Sequence, residues 1–128
     1  MENAKGLVYD ASVSDPADWA ALETELDAVF RLTQQAVLAG EPIVYVVHEP
    51  SIWGHATPLR SALATALMGG MRSAAVEGAR AGLAANVIAT DDDVDPTRLA
   101  DAIEFLLTSG LTGQLLTCGT THLGRPAA

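Results

Sequence analysis

The sequence predicts an α/β layer in which four parallel strands are joined by three main helices that cross over the sheet. Three observations predict it. Short apolar, β-branched runs alternate with longer stretches of helical periodicity. Two helix starts share one form, Asp15-Pro16 and Asp95-Pro96, an N-cap followed by proline at the first helical position. The run Ile43 to Val47 (IVYVV) is apolar without alternation, as expected of a strand covered on both faces.

The elements follow in order. Gly6 to Ala11 (GLVYDA) is too short an apolar run for a helix and ends in the turn-like SVSDP, so it reads as a strand. From Pro16, the residues Trp19, Leu22, Leu26, Val29, Phe30, Thr33 and Val37 recur at helical spacing until Gly40, which predicts an amphipathic helix over Pro16–Ala39. Its other face, with Asp18, Glu23, Asp27, Arg31 and Gln34, reads as solvated surface. A loop with Pro50, Gly54 and Pro58 follows the second strand and leads into a helix over Leu59–Ala81. Between Leu59 and Met71 its only charge is Arg60, and the side expected to meet water carries Ala62, Ala64, Ala66, Gly69 and Gly70. A helix apolar nearly all round is expected to be buried on more than one side. Gly69 and Gly70 each cost about 1 kcal/mol of helix stability relative to alanine, so close helix approach is expected there. Gly82 ends this helix, Leu83 to Ala89 (LAANVIA) reads as the third strand, and Asp91 to Asp95 form an acidic loop. Leu99, Ile103, Phe105, Leu106 and Leu107 supply the buried face of the last helix, Gly110 stops it, and Gln114 to Cys118 (QLLTC) reads as the last strand.

Composition narrows the function classes. The 128 residues suit one domain, 1–128, with a core built from Ala, Val, Leu and Ile, because aromatics are only 5%. Seven basic against sixteen acidic residues give a net charge of -9, the wrong sign for nucleic acid or an anionic membrane surface. The single Cys118 excludes an internal disulfide, and no apolar run reaches membrane-spanning length. A cytoplasmic protein is expected, with a short tail ending at Ala127 and Ala128.

Four segments carry a family resemblance, in the right order and spacing. DWAALETELDAVFRLTQQAV resembles the fourth-helix segment of short-chain dehydrogenases/reductases, and IVYVV the strand that delivers their catalytic serine. MGGMRSAAVEGARAGLAANVIA resembles their active-site helix with the strand after it, and TGQLLTCG their closing strand. The likeness runs from about Leu7 to Cys118, and CGTTHLG at the end is similar to some 3-oxoacyl-acyl carrier protein reductases of that family. The resemblance implies a truncated Rossmann-like fold. It also puts the last helix on the opposite face of the sheet from the first two, where the handedness rule alone would prefer the same face.

Against that family the sequence departs at each position that carries chemistry. No glycine-rich dinucleotide turn of the form G-x-x-x-G-x-G occurs, so no NAD(P) site of that type is expected within one chain. The family's Asn-Asn-Ala-Gly strand end falls on Tyr9, Asp10, Ala11 and Ser12, its helix asparagine on Glu25, and the Pro-Gly after its sixth strand on Thr90-Asp91. The catalytic serine falls on Val47 or His48, and the Tyr-x-x-x-Lys pair on Arg60 and Ala64. Acid catalysis by the family route needs a hydroxyl beside a cation, and arginine does not substitute for it. No catalytic residue and no resident cofactor are therefore expected, with NAD or NADP entering only through a partner chain.

Two functional readings follow. In the first, the chain is a non-catalytic subunit. The resemblance implies that the two long helices pair across a dimer axis, giving Phe30, Ala62, Ala66, Gly69, Gly70 and Ser73 as interface residues. The partner is then a second copy or a full-length short-chain dehydrogenase/reductase, and the Leu7–Asp10 strand, left at a sheet edge, needs pairing or cover. In the second, a remodelled cleft at the carboxyl ends of the strands uses Asp10, His48, Glu49 and Arg60. Arg60 would then be an anion anchor, and Asp91, Asp92 and Asp93 would add to a metal or acid/base cluster. The plainer account of these residues is that Asp91 to Asp95 cap and solvate a loop while His48 and Glu49 face water. His55 and His122 lie in loops without a ligand at fixed spacing, and no metal site is assigned.

Overall fold

A computed structural model describes residues 5–120 of the chain. The order is β1 (Leu7–Asp10), α1 (Trp19–Ala39), β2 (Ile43–His48), α2 (Glu49–Ile52), α3 (Pro58–Gly78), β3 (Ala85–Thr90), α4 (Pro96–Thr108) and β4 (Leu115–Cys118), with a 3-10 turn, Ala79–Ala81, after α3. The strands lie in the order β1-β2-β3-β4 and every pair is parallel. The register sets Leu7 against Ile43, Ile43 against Ala85 and Val87 against Leu115. This is the predicted doubly wound α/β layer with a Rossmann-like sheet.

Alternation along the strands divides the core in two. Ile43, Tyr45 and Val47 of β2 with Ala85, Val87 and Ala89 of β3 face α1 and α3, and pack on Leu22, Val29, Ala36, Leu63, Leu67 and Met71. Val44, Val46 and Ile88 point the other way, onto Leu106 of α4 with Leu99 and Ile103 beside it. The last helix thus covers the opposite face from the first two. Since the strands step across the sheet in one direction, the third crossover has the opposite hand to the first two, against the strong general preference for one hand.

Several local expectations are corrected. α1 is capped by Asp18, whose carboxylate accepts from the Ala21 N–H at 2.8 Å, rather than by Asp15. Asp15 instead accepts from the Thr57 hydroxyl at 3.4 Å. Helix phase decides which apolar residues are buried: Leu22, Val29 and Ala36 lie on one stripe, whereas Trp19 and Phe30 turn outward at 69% and 64% exposure. Phe105 is likewise exposed, one residue before the buried Leu106. 

The buried stripe of α1 is Leu22, Val29 and Ala36, each seven residues from the next. The loop after β2 contains the single helical turn α2, and it buries His48 and Glu49 at 7% and 5% exposure where sequence reasoning set them facing water. α3 buries one side only, through Leu63, Ala64, Leu67, Met71, Ala74, Ala75 and Gly78. Ala64 belongs to that buried side, whereas Ala66 and Gly69 are exposed.

No close helix approach occurs at Gly69 or Gly70, where a Cβ would meet nothing within 4 Å. The glycine of α3 that does permit close approach is Gly78, packed on the buried Leu83. Asp95 caps α4 as expected, accepting from the Thr97 N–H at 2.9 Å with Pro96 at the first helical position. The third strand begins at Ala85 rather than Leu83 and runs on to Thr90. Among the described residues no helix is long and apolar enough to cross a membrane. His122 and the terminal alanines lie outside the described residues.

Candidate functional site

Parallel strands deliver their carboxyl ends, and the loops after them, to one rim of the sheet. Of the four cleft residues, Asp10 and Arg60 form one group at that rim and His48 centres a second, while Glu49 is buried at the start of α2. In the first, the Asp10 carboxylate accepts from the backbone N–H and the hydroxyl of Ser12 at 2.9 and 2.6 Å, and Arg60 Nη2 donates to the Ser12 carbonyl at 2.8 Å. Arg60 therefore ties the start of α3 to the loop after β1. Its Nε is buried without a hydrogen-bond partner.

The second group centres on His48, the last residue of β2. Its Nδ1 lies 2.8 Å from Ser51 Oγ, and Ser51 is fully buried in α2. The other ring nitrogen, Nε2, stands 3.5 Å from Asp92 Oδ1 and makes no hydrogen bond. Thr90, the register partner of His48 on β3, is 2% exposed and its hydroxyl also has no partner. Val46 and Ile88 place both side chains on the α4 face by alternation. Sequence reasoning missed Ser51 and Thr90. The His-x-x-Ser spacing was visible, but the helical turn that makes it a contact was not.

The acidic loop is mainly a structural device. The Asp91 carboxylate accepts from the Asp93 N–H at 3.0 Å and from the Thr120 N–H and hydroxyl at 2.6 and 2.9 Å, which ties the end of β3 to the end of β4. Asp95 is the α4 cap. Among the described residues no three or more His, Cys, Asp or Glu side chains converge as a metal-holding group. Cys118 is half-buried, and burial pushes its thiol above the ordinary range. A raised thiol is a poor nucleophile.

Two of the positions aligned by resemblance with family chemistry are packed into the core of this chain. Ala64, at the lysine position, is 3% exposed, and Val47 is fully buried. Tyr9 and Glu25, which stand at two of the family's asparagine positions, meet each other: the Tyr9 hydroxyl donates to Glu25 Oε2 at 3.3 Å. Partial burial and then the Glu25 charge push the Tyr9 hydroxyl up to about 12.

The expected interface residues converge better. Between α1 and α3 lies a groove of about 310 Å³ whose lining includes Phe30, Ala66, Gly70 and Ser73. Ala62 is half-buried against the core, and Gly69 is exposed one position from the groove. Glu77 is the only charged residue of that lining. A second hollow, of about 530 Å³, lies at the N-terminal ends of the same helices between Pro16, Trp19, Pro58 and Leu59.

Comparison with solved structures defines the class of fold. The chain superposes on a citronellol catabolism dehydrogenase (AtuB) of Pseudomonas aeruginosa PAO1 with a TM-score of 0.64 and 19% identity, over 89% of this chain and 60% of that one. It superposes on a short chain dehydrogenase from Mycobacterium smegmatis with a TM-score of 0.74 and 18% identity, over 91% of this chain and 59% of that one. The fold is that of the short-chain dehydrogenases, and the chain spans about 60% of the length of these two neighbours. No protein-family model and no curated protein matches the sequence.

Proposed function

We propose that the chain is a non-catalytic subunit with a short-chain-dehydrogenase fold, acting by association through the exposed side of α1 and α3. One observation carries this reading. Phe30 stands 64% exposed at a groove whose lining includes the small residues Ala66, Gly70 and Ser73. A large apolar knob beside a shallow hollow on the same face is self-complementary about a two-fold axis, where each copy's knob meets the other's hollow. The partner is a second copy of this chain, and a longer reductase presenting the same two helices is the second outcome to be tested. Support for the absence of reductase chemistry comes from Arg60 and Ala64. The guanidinium is bound to the Ser12 carbonyl, and Ala64 is packed in the core. NAD or NADP then enters the assembly only through a partner chain.

Light scattering on the purified chain, with nucleotide titrations by calorimetry, tests the reading. The expected result is a dimer that Phe30→Asp converts to a monomer without loss of helical signal, and no heat with NADPH or NADH. A parent chain that stays monomeric at high concentration, alone and with a full-length reductase, overturns it. So does nucleotide binding by the isolated chain.

A further inference from the structure

We propose that the hollow at the starts of α1 and α3 receives an arginine side chain of a basic polypeptide partner, with the guanidinium stacked on Trp19 and its charge met by Asp15. The hollow has a volume of about 530 Å³, and Pro16, Trp19, Pro58 and Leu59 line it together with the polar Asp15 and Thr57. Trp19 is 69% exposed, so most of an indole is open to solvent beside an apolar recess. Proline fixes the backbone on both sides, Pro16 ahead of α1 and Pro58 at the first position of α3. The recess is therefore formed before a partner arrives, which lowers the cost of binding. It is also distinct from the groove at Phe30, with which it shares no lining residue. Phe30 lies about 16 Å further along α1, at about 1.5 Å per residue.

Charge selects the occupant. The exposed Asp15 carboxylate accepts one long hydrogen bond, from the Thr57 hydroxyl at 3.4 Å. Asp18 and Glu23 stand exposed on the same helix start, and none of the three belongs to an ion pair among the described residues. Further along α1, by contrast, Asp27 is paired with Arg31 and Glu25 accepts from the Tyr9 hydroxyl. The one cation in the first turn of α3 is Arg60, whose Nη2 donates to the Ser12 carbonyl. Three carboxylates against that single charge leave the helix starts negative, in a chain of net charge -9. Helix starts ordinarily attract anions through their free N–H groups. Here the chain's own side chains cap both: Asp18 accepts from the Ala21 N–H at 2.8 Å and Thr57 from the Arg60 N–H at 3.2 Å. A cation is the complementary ligand.

The combination of an indole face and a carboxylate distinguishes arginine from lysine. A planar guanidinium stacks on an aromatic ring and still directs its forked N–H groups to a carboxylate, and tryptophan is the ring that attracts cations most strongly. The lysine ammonium is a compact, strongly hydrated charge without that fork. The methylene stem of an arginine can lie along Pro16, Pro58 and Leu59 while its head stays at the indole.

The test titrates the full chain, in dilute solution, into a labelled acetyl-Gly-Arg-Gly-Arg-Gly amide peptide and reads fluorescence anisotropy. NMR of the Trp19 indole N–H, with Trp53→Phe removing the other indole, reports where the peptide sits. Saturable binding is expected that moves the Trp19 signal, weakens as salt is added and exceeds that of the lysine counterpart. The citrulline counterpart, which keeps the shape and lacks the charge, should not bind. Trp19→Leu and Asp15→Asn should each lower the affinity about two- to fivefold. Both positions are exposed, so both variants should fold. Asp101→Asn, exposed on α4 across the sheet, should leave the affinity unchanged. Absence of saturable binding overturns the proposal, and so does equal binding of the citrulline peptide. A loss with Asp101→Asn as large as with Asp15→Asn overturns it in favour of net charge alone. A Trp19 signal that moves when the chain alone is concentrated, and not with the peptide, gives the hollow to a second copy and overturns it as well.

Discussion

Gly70→Ala and Gly78→Ala are the same chemical change eight residues apart in one helix, and the structure gives them opposite signs. At Gly70 an added Cβ meets nothing within 4 Å, so the substitution should show the helix-propensity gain alone, about 1 kcal/mol. That corresponds to a rise of about 4 °C in Tm for a chain of this size. At Gly78 the new Cβ would overlap Leu83 Cβ and Cδ2 and lie 2.9 Å from Leu83 Cγ. Leu83 is 3% exposed and cannot swing into solvent. Overpacking of this kind costs about 1–3 kcal/mol, which outweighs the propensity gain at a helix end. Urea unfolding followed by circular dichroism, in dilute solution, should therefore separate the two variants by about 2–3 kcal/mol. At high concentration the order changes for a physical reason, because Gly70 lines the groove that the proposed partner enters. There Gly70→Ala should weaken association while stabilising the free chain. A Gly70→Ala variant that is less stable than the parent when dilute would refute the account of Gly70 as an unfilled position.

Two further outcomes are expected. The Tyr9 hydroxyl is raised from 10.0 to about 12, so its contribution to stability is complete below pH 10 and is lost as pH rises through 12. After discounting for partial solvent screening the loss is about 1–2 kcal/mol, and Tyr9→Phe should flatten that part of the stability curve measured by urea titration. At the start of α1, Asp18→Ala should cost about 1 kcal/mol through loss of the bond to the Ala21 N–H. Asp15→Ala should cost much less, and equal losses in thermal unfolding would mean that the cap is misassigned.

The sheet was legible because its signals are local. IVYVV cannot be a half-exposed strand, and all six residues of β2 are buried. Asp95-Pro96 gave the α4 cap correctly because the aspartate is followed directly by the helix. The same dipeptide at Asp15-Pro16 misled, since two residues later Asp18 offers an equal cap and Asp15 has a tertiary partner in Thr57. Helical spacing groups Trp19 with the apolar face of α1 and Phe105 with that of α4, yet both stand exposed beside the buried stripe, as does Phe30, which is also an expected interface residue. The site was less legible. Ser51 becomes relevant only once the His-x-x-Ser spacing is closed into the turn of α2, and Thr90 only through the β2-β3 register, which spacing to His48 does not encode.

The two open features of the molecule make separate demands, which bears on how they are to be read together. The α1–α3 face is apolar and lined with small residues, and burial of apolar surface is what it can supply. The rim at the end of β2 is polar, and its unpartnered atoms need a charge or a hydrogen bond rather than a packed face. Side chains on β2 alternate between the two layers, with Val47 facing α3 and His48 facing the α4 side. The His48 rim and the exposed side of α1 and α3 therefore lie on opposite faces of one sheet. Coupling between the two would have to pass through β2, whose six residues are locked between neighbours on both sides.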